Sequence, residues 1–228
     1  MNIVITGCSR GIGLELVKLF SQKHNVYCLS RNIGPIEKYK NEVGDSGKIN
    51  FLQFDFESFN TVELESFLTI DNGIDVLINN AGYLVNDAFS QISESNLRKM
   101  YEVNLLGPFR LIQIVVPLLR KNNSHVINIG SMGGVQGSVK FPGLSAYSSS
   151  KGGMSILTEC LAEEYKESNI KFNCLALGAV QTEMLSEAFP GYEASVSAKE
   201  MAQYIYDFAS NGSKFINGKV ISVSNSTP

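Results

Sequence analysis

Short apolar segments alternate with amphipathic segments along the whole chain. The first pair shows the pattern: Asn2–Thr6 is a largely apolar run, and after a glycine-rich turn Leu14 to Phe20 place apolar side chains at helical spacing. Strands of a parallel sheet are apolar throughout because both faces of that sheet are buried. The alternation therefore predicts an α/β fold, a doubly wound, Rossmann-like parallel sheet of about seven strands with helices on both faces.

The same alternation continues to the end of the chain. Further strands are predicted at Val26–Ser30, Ile49–Phe54, Ile74–Ile78, His125–Ile129, Lys171–Leu177 and Lys219–Val223. Helices are predicted at Ile36–Val43, Thr61–Leu68, Ser93–Asn104, Phe109–Leu119, from Tyr147 to about Lys166, and at Lys199–Phe208. Residues 44–47, Gly-Asp-Ser-Gly, predict a turn. No segment reads as a linker, so residues 1–228 are expected to form a single domain.

Composition argues against several classes of function. The 228 residues carry a formal net charge of −3, which offers no basic surface for nucleic acid or anionic lipid. No apolar run is long enough to span a bilayer and no signal peptide is found, so a cytoplasmic protein that binds no membrane is expected. The two histidines and the cysteines are scattered, which predicts no metal site and buried, reduced thiols at Cys8, Cys28, Cys160 and Cys174.

The end of the first strand predicts a phosphate-binding turn. Gly7-Cys-Ser-Arg-Gly11-Ile-Gly13 leads directly into a helix, an arrangement that lets backbone N–H groups approach a pyrophosphate. An ordinary tight turn is the alternative. The second strand ends at Arg31, where nucleotide-binding folds of this kind contact the adenosine ribose and where an arginine accommodates a 2′-phosphate. With Arg10 in the glycine loop, this favours NADP(H) over NAD(H), unless both arginines merely lie on the surface.

Three polar groups further along the chain suggest chemistry. Asn79-Asn80-Ala81-Gly82 follows the fourth strand, where such sheets bind ligands, although the amides could simply cap a turn. Asn104 has apolar neighbours, and a buried Asn must be hydrogen-bonded, either as a structural clamp or as a functional group. Tyr147 and Lys151 share one helix face, where an ammonium would favour the phenolate and prepare the phenol for proton transfer. A solvated helix face is the alternative reading of that pair.

Together these motifs resemble those of the short-chain dehydrogenase/reductase family over essentially the full chain. The matching features, in the family's order, are Thr6-Gly7-x-x-x-Gly11-Ile12-Gly13, Asp55, Asn79-Asn80-Ala81-Gly82, Asn104, Ser131 and Tyr147-x-x-x-Lys151. The resemblance implies an NADP(H)-dependent oxidoreductase that transfers a hydride between nicotinamide and a small-molecule carbonyl or secondary alcohol. The alternative is a non-catalytic, dinucleotide-binding regulator on the same fold, although no catalytic side chain of the family is missing.

The resemblance also implies a role for each position. Tyr147 would exchange a proton with the substrate oxygen, Lys151 would bind the nicotinamide ribose, and Ser131 would hydrogen-bond the substrate. Asn104 would hold a water that relays protons. The residues expected to bind cofactor are Thr6, Gly7, Ser9, Arg10, Gly11, Ile12, Gly13, Arg31, Asp55, Phe56, Asn79, Asn80, Ala81, Gly82, Tyr147, Lys151, Gly178, Val180 and Thr182. Those expected to contact substrate are Ser131, Tyr147, Met132, Val139, Phe141 and Met184, with Tyr83 as a further candidate.

The chain departs from the family's pattern in two places. Leu177-Gly178 stands where the family has Pro-Gly, which frees one backbone angle. The segment from Ser131 to Tyr147 is longer than usual, and such substrate-facing loops leave the substrate undetermined. The apolar stretch from Leu105 to Leu119 and the helix after Tyr147 suit a subunit interface, so a homodimer or homotetramer is expected.

Overall fold

The computed structural model describes residues 1–44, 48–120 and 124–224. Its centre is a seven-stranded parallel sheet of order β3-β2-β1-β4-β5-β6-β7. The strands are β1 (Asn2–Thr6), β2 (Asn25–Ser30), β3 (Ile49–Gln53), β4 (Val76–Asn79), β5 (Ser124–Ser131), β6 (Ile170–Leu177) and β7 (Lys219–Val223). The predicted sheet is confirmed, and each predicted strand coincides with an observed one. The turn predicted over 44–47 lies, beyond Gly44, outside the described residues.

Helices cover both faces of this sheet. They are α1 (Gly11–Phe20), α2 (Gly34–Val43), α3 (Thr61–Leu68), α4 (Glu94–Tyr101), α5 (Gly107–Val115), α6 (Ser145–Glu164), α7 (Glu183–Ala188) and α8 (Ala198–Asn211). Successive strand residues point to opposite faces. Accordingly Ile3 and Ile5 belong to the core under α1 and α8, whereas Val4 belongs to the core under α3 and α5. In the described part of the chain, no helix combines the length and apolarity that crossing a membrane requires.

The two helices predicted at Ser93–Asn104 and Phe109–Leu119 form one continuous helical rod. Ser93 caps its start as predicted, since Ser93 Oγ accepts a hydrogen bond from Asn96 N at 3.2 Å. Between α4 and α5 the chain makes a π-helical turn over Glu102–Leu106. Such π-turns are rare within α-helices and are frequent at functional sites. This one contains Asn104.

One cysteine corrects the prediction of buried thiols. Cys8, Cys28 and Cys174 are buried, but Cys160 is exposed on α6. Helix α6 turns Met154 and Thr158 toward the sheet, and residues four apart lie on the same helical face. Cys160 follows the exposed Ile156 on the opposite face, so its apolar neighbours in the sequence do not bury it.

Candidate active site

A cavity of about 680 Å³ opens at the carboxyl ends of the strands. Its walls include the residues that follow β1, β2, β3, β4, β5 and β6. Strands β2 and β4 flank β1 on opposite sides. The order of strands along the sheet therefore reverses direction at β1. Doubly wound sheets bind their ligands at this kind of switch point, and the volume lies in the range of ligand sites.

The glycine loop after β1 leaves no room for side chains. A Cβ on Gly13 would lie 2.0 Å from Gly7 O, and one on Gly7 would lie 2.7 Å from Ala81 Cα. Asn80 Nδ2 donates to the carbonyl oxygens of Thr6 and Gly7, both at 3.1 Å. Thr6 Oγ1 in turn accepts hydrogen bonds from the backbone of Asn80 and Ala81. Thr6, a predicted cofactor contact, therefore braces the loop from behind and does not line the cavity.

The two arginines predicted to favour a 2′-phosphate differ in their partners. Both line the cavity. Arg10 makes a two-pronged ion pair with Glu187 of α7, with Nη2 3.0 Å from Oε2. The side chain of Arg31 has no ion-pair or hydrogen-bond partner among the residues described. The side chains of Arg10 and Glu187 are 48% and 61% exposed. An ion pair that is this exposed to solvent contributes at most about 1 kcal/mol to stability. Arg31 can therefore bind an anion in the cavity without breaking an ion pair. Arg10 can do so at the small free-energy cost of breaking its pair with Glu187.

Of the predicted residues at the ends of β3 and β4, some line the cavity and one is buried in the core. Asp55 and Phe56 line the cavity, as do Ala81 and Gly82. Asn79 is different: its Nδ2 donates to Asn128 Oδ1 at 2.8 Å and its side chain is buried. Asn79 is the last residue of β4, and its side chain lies beside that of Asn128 of β5 on the face of the sheet that α6 covers. It therefore does not line the cavity, contrary to the prediction.

Ser131, Tyr147 and Lys151 come together on the cavity wall. Lys151 Nζ donates to Ile129 O at 2.8 Å and lies 6.0 Å from the centre of the Tyr147 ring. Ser131 ends β5, and the 3₁₀ turn after it packs directly on α6, where a Cβ on Gly134 would meet Gly152 N at 2.7 Å. This contact between backbones holds the end of β5 against the helix that carries the other two side chains.

Burial governs the proton affinity of these groups. It raises the pKa of Tyr147 to about 12, and the Ser131 hydroxyl opposes part of that rise. Burial also lowers the pKa of Lys151 to about 8. The prediction that the ammonium lowers the pKa of the phenol is wrong for this structure, because desolvation dominates and Lys151 is directed at the carbonyl of Ile129. At neutral pH the phenol therefore keeps its proton, and burial makes it a weaker acid than a solvated tyrosine.

Asn104 lies behind the cavity as a clamp. Only 1% of it is exposed. Its Oδ1 accepts from Tyr83 N at 2.8 Å, and its Nδ2 donates to Tyr83 O and Ser150 Oγ at 2.9 and 3.0 Å. The amide thus ties the loop after β4 to α6, one residue before Lys151. The clamp, one of two predicted alternatives, accounts for both ends of the amide, and the proton relay stays a prediction.

The candidate substrate contacts also divide. Met132, Phe141 and Met184 line the cavity, whereas Val139 does not and is 48% exposed. Tyr83 does not line it either, because its hydroxyl is turned toward Asn96. Neither is placed on the cavity wall, since position along a loop does not determine which side chains face inward. Gly178, Val180 and Thr182 line the cavity, as do Ser9, Gly11 and Ile12.

Helix α7 is the element that the sequence prediction missed. Thr182 caps it, with Oγ1 accepting from Leu185 N at 3.3 Å. Its six residues are too few to show a helical period, although Thr182 before Glu183 is a helix-start signal. Other cavity residues not predicted are Leu29, Ser30, Asn32, Phe54, Leu84, Val103, Ile129, Gly130, Gly133, Leu144, Leu177, Ala179, Glu183, Leu185, Phe189 and Tyr192.

The chain is similar to known proteins in both sequence and fold. The chain is 34% identical to an uncharacterized oxidoreductase of Staphylococcus saprophyticus, covering 93% of this chain and 84% of the relative. It is 28% identical to a 3-oxoacyl-[acyl-carrier-protein] reductase of Chlamydia trachomatis, covering 96% and 94%. The solved structure of ElxO with NADP bound superposes with a TM-score of 0.83 at 26% identity, covering 97% of this chain and 96% of the ElxO chain.

Residues 1–193 match the model of the short chain dehydrogenase family. The match covers the glycine loop, Asn79 and Asn80 at the end of β4, and the Tyr147–Lys151 pair. The chain therefore belongs to the short-chain dehydrogenase/reductase family and is an oxidoreductase that acts on CH–OH or C=O groups.

Proposed function

We propose that the protein is an NADP(H)-preferring enzyme that interconverts a small carbonyl compound and its secondary alcohol. The observation that carries the proposal is that one cavity is lined by two different sets of residues in two of its parts. The glycine loop and Arg31 line one part of it, and Ser131, Tyr147 and Lys151 line another. A dinucleotide laid along the strand ends would join these parts.

Ser131, Tyr147 and Lys151 have different roles in the proposed proton transfer. Tyr147, which keeps its proton at neutral pH, is the group that gives a proton to the substrate oxygen in reduction and takes it back in oxidation. The Ser131 hydroxyl, beside the phenol, orients that oxygen and stabilises the phenolate. Lys151 is held in place by Ile129 O and supplies positive charge beside the phenol. When bound, the nicotinamide supplies or accepts the hydride.

The same cavity supports a cofactor of the dinucleotide class. Gly7 and Gly13 let the backbone close tightly, so the start of α1 is open to a pyrophosphate. Asp55 lines the cavity just after β3 and would hydrogen-bond the adenine amino group, as the family resemblance implies. Arg31 supports the 2′-phosphate and hence NADP(H), because the described residues hold no carboxylate against it. ElxO, similar in fold and 26% identical, is a relative whose structure contains NADP.

Assembly and location remain proposals. A homodimer or homotetramer is supported by apolar side chains left exposed along α5 and α6, including Phe109 at 42% and Ile156 at 61%. Light scattering of the purified protein tests this, since a monomer at micromolar concentration would remove it. The cytoplasmic location expected from the sequence stays a prediction, as does the single-domain organisation.

The proposal is tested by a turnover screen. The protein is offered NADPH and, separately, NADH with a broad set of ketones, aldehydes and quinones, both neutral and charged, and loss of absorbance of the reduced nicotinamide is followed. Oxidation of NADPH that depends on a carbonyl substrate is expected. NADPH binding measured by calorimetry without turnover of any compound would favour the competing function, a non-catalytic regulator that binds a dinucleotide.

A further inference from the structure

Two segments form the walls of the cavity beyond Tyr147. One is the loop of residues 132–144 after β5, and the other is residues 183–192, which begin with α7. Asn86, in the loop after β4, joins them: its Nδ2 donates to Ala188 O at 3.0 Å. The neighbouring Asp87 N donates to Gly143 O at 3.1 Å, and a Cβ on Gly143 would lie 1.9 Å from Asn86 Oδ1. The three segments thus enclose one compartment, called here the substrate compartment.

The substrate compartment is lined by apolar side chains. They are Leu84, Met132, Phe141, Met184, Leu185 and Phe189. The uncharged polar side chains beside them are those of Ser131, Tyr147 and Tyr192, each of which carries a hydroxyl. Apolar walls with a few convergent polar groups are typical of sites for small organic ligands, in which the polar groups set the orientation.

Apart from Lys151, the charged side chains of the cavity lie away from this compartment. Arg10, Arg31 and Asp55 follow β1, β2 and β3. Glu183 points toward the glycine loop, where its Oε2 lies 3.5 Å from a Cβ placed on Gly11. Lys151 is committed to Ile129 O. In the described residues, nothing cationic therefore faces the apolar walls apart from the lysine beside the phenol.

The rim of the compartment is acidic. The segments 83–92, 132–144 and 183–196 contain one basic residue, Lys140, whose Nζ is bound to the carbonyl oxygens of Val135 and Ser138 at 2.6 and 3.2 Å. The same segments carry the acidic residues Asp87 and Glu193, while Glu183 points toward the glycine loop and Glu187 is paired with Arg10. A carboxylate or phosphate entering here would lose water without gaining a partner and would meet like charges, which is costly.

Building on the proposed function, we infer that the substrate is an uncharged, apolar ketone or aldehyde taken free from solution. In its reduction the carbonyl carbon receives the hydride from NADPH and the oxygen receives the proton of Tyr147, which gives an alcohol and NADP⁺. Carboxylate-bearing carbonyl compounds and acyl groups on a phosphate-linked carrier are excluded as good substrates. In this respect the chain would differ from its relative of 28% identity that is named for an acyl-carrier-protein substrate.

A pair of compounds that differ in charge tests the inference. Methyl 4-acetylbenzoate is neutral, and 4-acetylbenzoate has nearly the same shape with a carboxylate. The kcat/KM for the ester is expected to exceed that for the acid roughly 100-fold, because the carboxylate finds no partner. Equal values, or a preference for the acid, would overturn the inference. So would a 3-oxoacyl thioester used more than tenfold better on an acyl carrier protein than on neutral N-acetylcysteamine.

Two matched variants test whether the preference for the ester arises in the substrate compartment. Phe141→Lys puts a cation on the wall and is expected to lower the ester-to-acid ratio about tenfold or more by improving the acid. Val139→Lys adds the same charge to the same loop outside the cavity and is expected to leave the ratio within about twofold. An equal change in both variants would contradict the assignment. Leu185→Lys replaces Phe141→Lys if the latter does not fold, as judged by its thermal transition.

Binding separates failure of the inference from failure of the proposed function. If no carbonyl compound is turned over, the proposed function fails, and both compounds are then titrated calorimetrically into wild-type protein saturated with NADP⁺. Tighter binding of the ester would still support the apolar compartment. Tighter binding of the acid, or no binding of the ester, would overturn it.

Discussion

The two ends of the cavity are built from different kinds of structure. The dinucleotide end consists of residues within two positions of a strand end, such as Gly7, Arg31 and Asp55, so the register of the sheet places them. The substrate end consists of a long loop and a short helix joined through Asn86. The difference shows why the first end can be recognised by motif: strand ends occupy fixed positions, whereas the loop conformations that shape the second end depend on contacts between segments distant in the chain.

The largest expected effect at the dinucleotide end comes from Gly13→Ala. The added Cβ would lie 2.0 Å from Gly7 O, so the loop must open. We expect the Kd for NADPH, measured by calorimetry, to rise roughly 100-fold or more, because a displaced loop no longer presents its N–H groups to the pyrophosphate.

Gly34→Ala provides the matched control for that change. A Cβ there meets Asn32 Oδ1 at 3.4 Å, an ordinary contact, so NADPH binding should be retained. Thermal unfolding of both variants shows whether they fold. A folded Gly13→Ala protein that binds NADPH normally would mean that the glycine loop is not the pyrophosphate site.

Arg31→Ala sharpens the comparison within the dinucleotide end. Losing a charge-assisted contact to the 2′-phosphate is expected to weaken NADPH about 10- to 100-fold and NADH by less than about threefold. Arg98→Ala, which removes an exposed arginine paired with Glu94 on α4, is the control and should change neither Kd. Equal losses for NADPH and NADH in Arg31→Ala would show that the arginine does not read the phosphate.

The smallest of these effects concerns Lys151, which lies where the two ends meet. Burial lowers its pKa from the ordinary 10.5 to about 8, so between these values the unfolded chain binds more protons than the folded one and stability rises with pH. The free energy of unfolding of the wild type should gain about 2 kcal/mol from pH 7.5 to 9.5 relative to Lys151→Met. This window lies below the range in which Tyr147 titrates.

Urea denaturation of both proteins at each pH measures this difference. The subtraction removes the contribution of all other titrating groups, because the two chains share them. A difference between wild type and Lys151→Met that does not change with pH would mean that Lys151 is solvated in the folded protein.

The fold and the strand-end residues of the site could be predicted because their signals are local. Apolar runs such as Asn2–Thr6 and the helical spacing after Gly13 depend only on neighbouring residues. The order of motifs then places Arg31, Asp55 and Ser131 at one edge of the sheet, and the structure has all three on the cavity wall.

Side-chain direction and proton affinity could not be predicted in the same way. Thr6, Asn79 and Asn104 occupy the expected positions along the chain, yet their side chains lie behind the cavity and brace it. Val139 and Cys160 face solvent because the packing of their segments, not their own hydrophobicity, decides their exposure. The pKa of Tyr147 rises because burial, a property of the whole fold, outweighs the nearby ammonium.

The central claim is that Tyr147 moves the proton at a site that holds the dinucleotide independently of that phenol. Tyr147→Phe removes one hydroxyl from this site, and both quantities can be measured on one preparation. We expect kcat for carbonyl reduction to fall about a thousandfold while the Kd for NADPH stays within about twofold. Turnover at the wild-type rate by Tyr147→Phe would contradict the account.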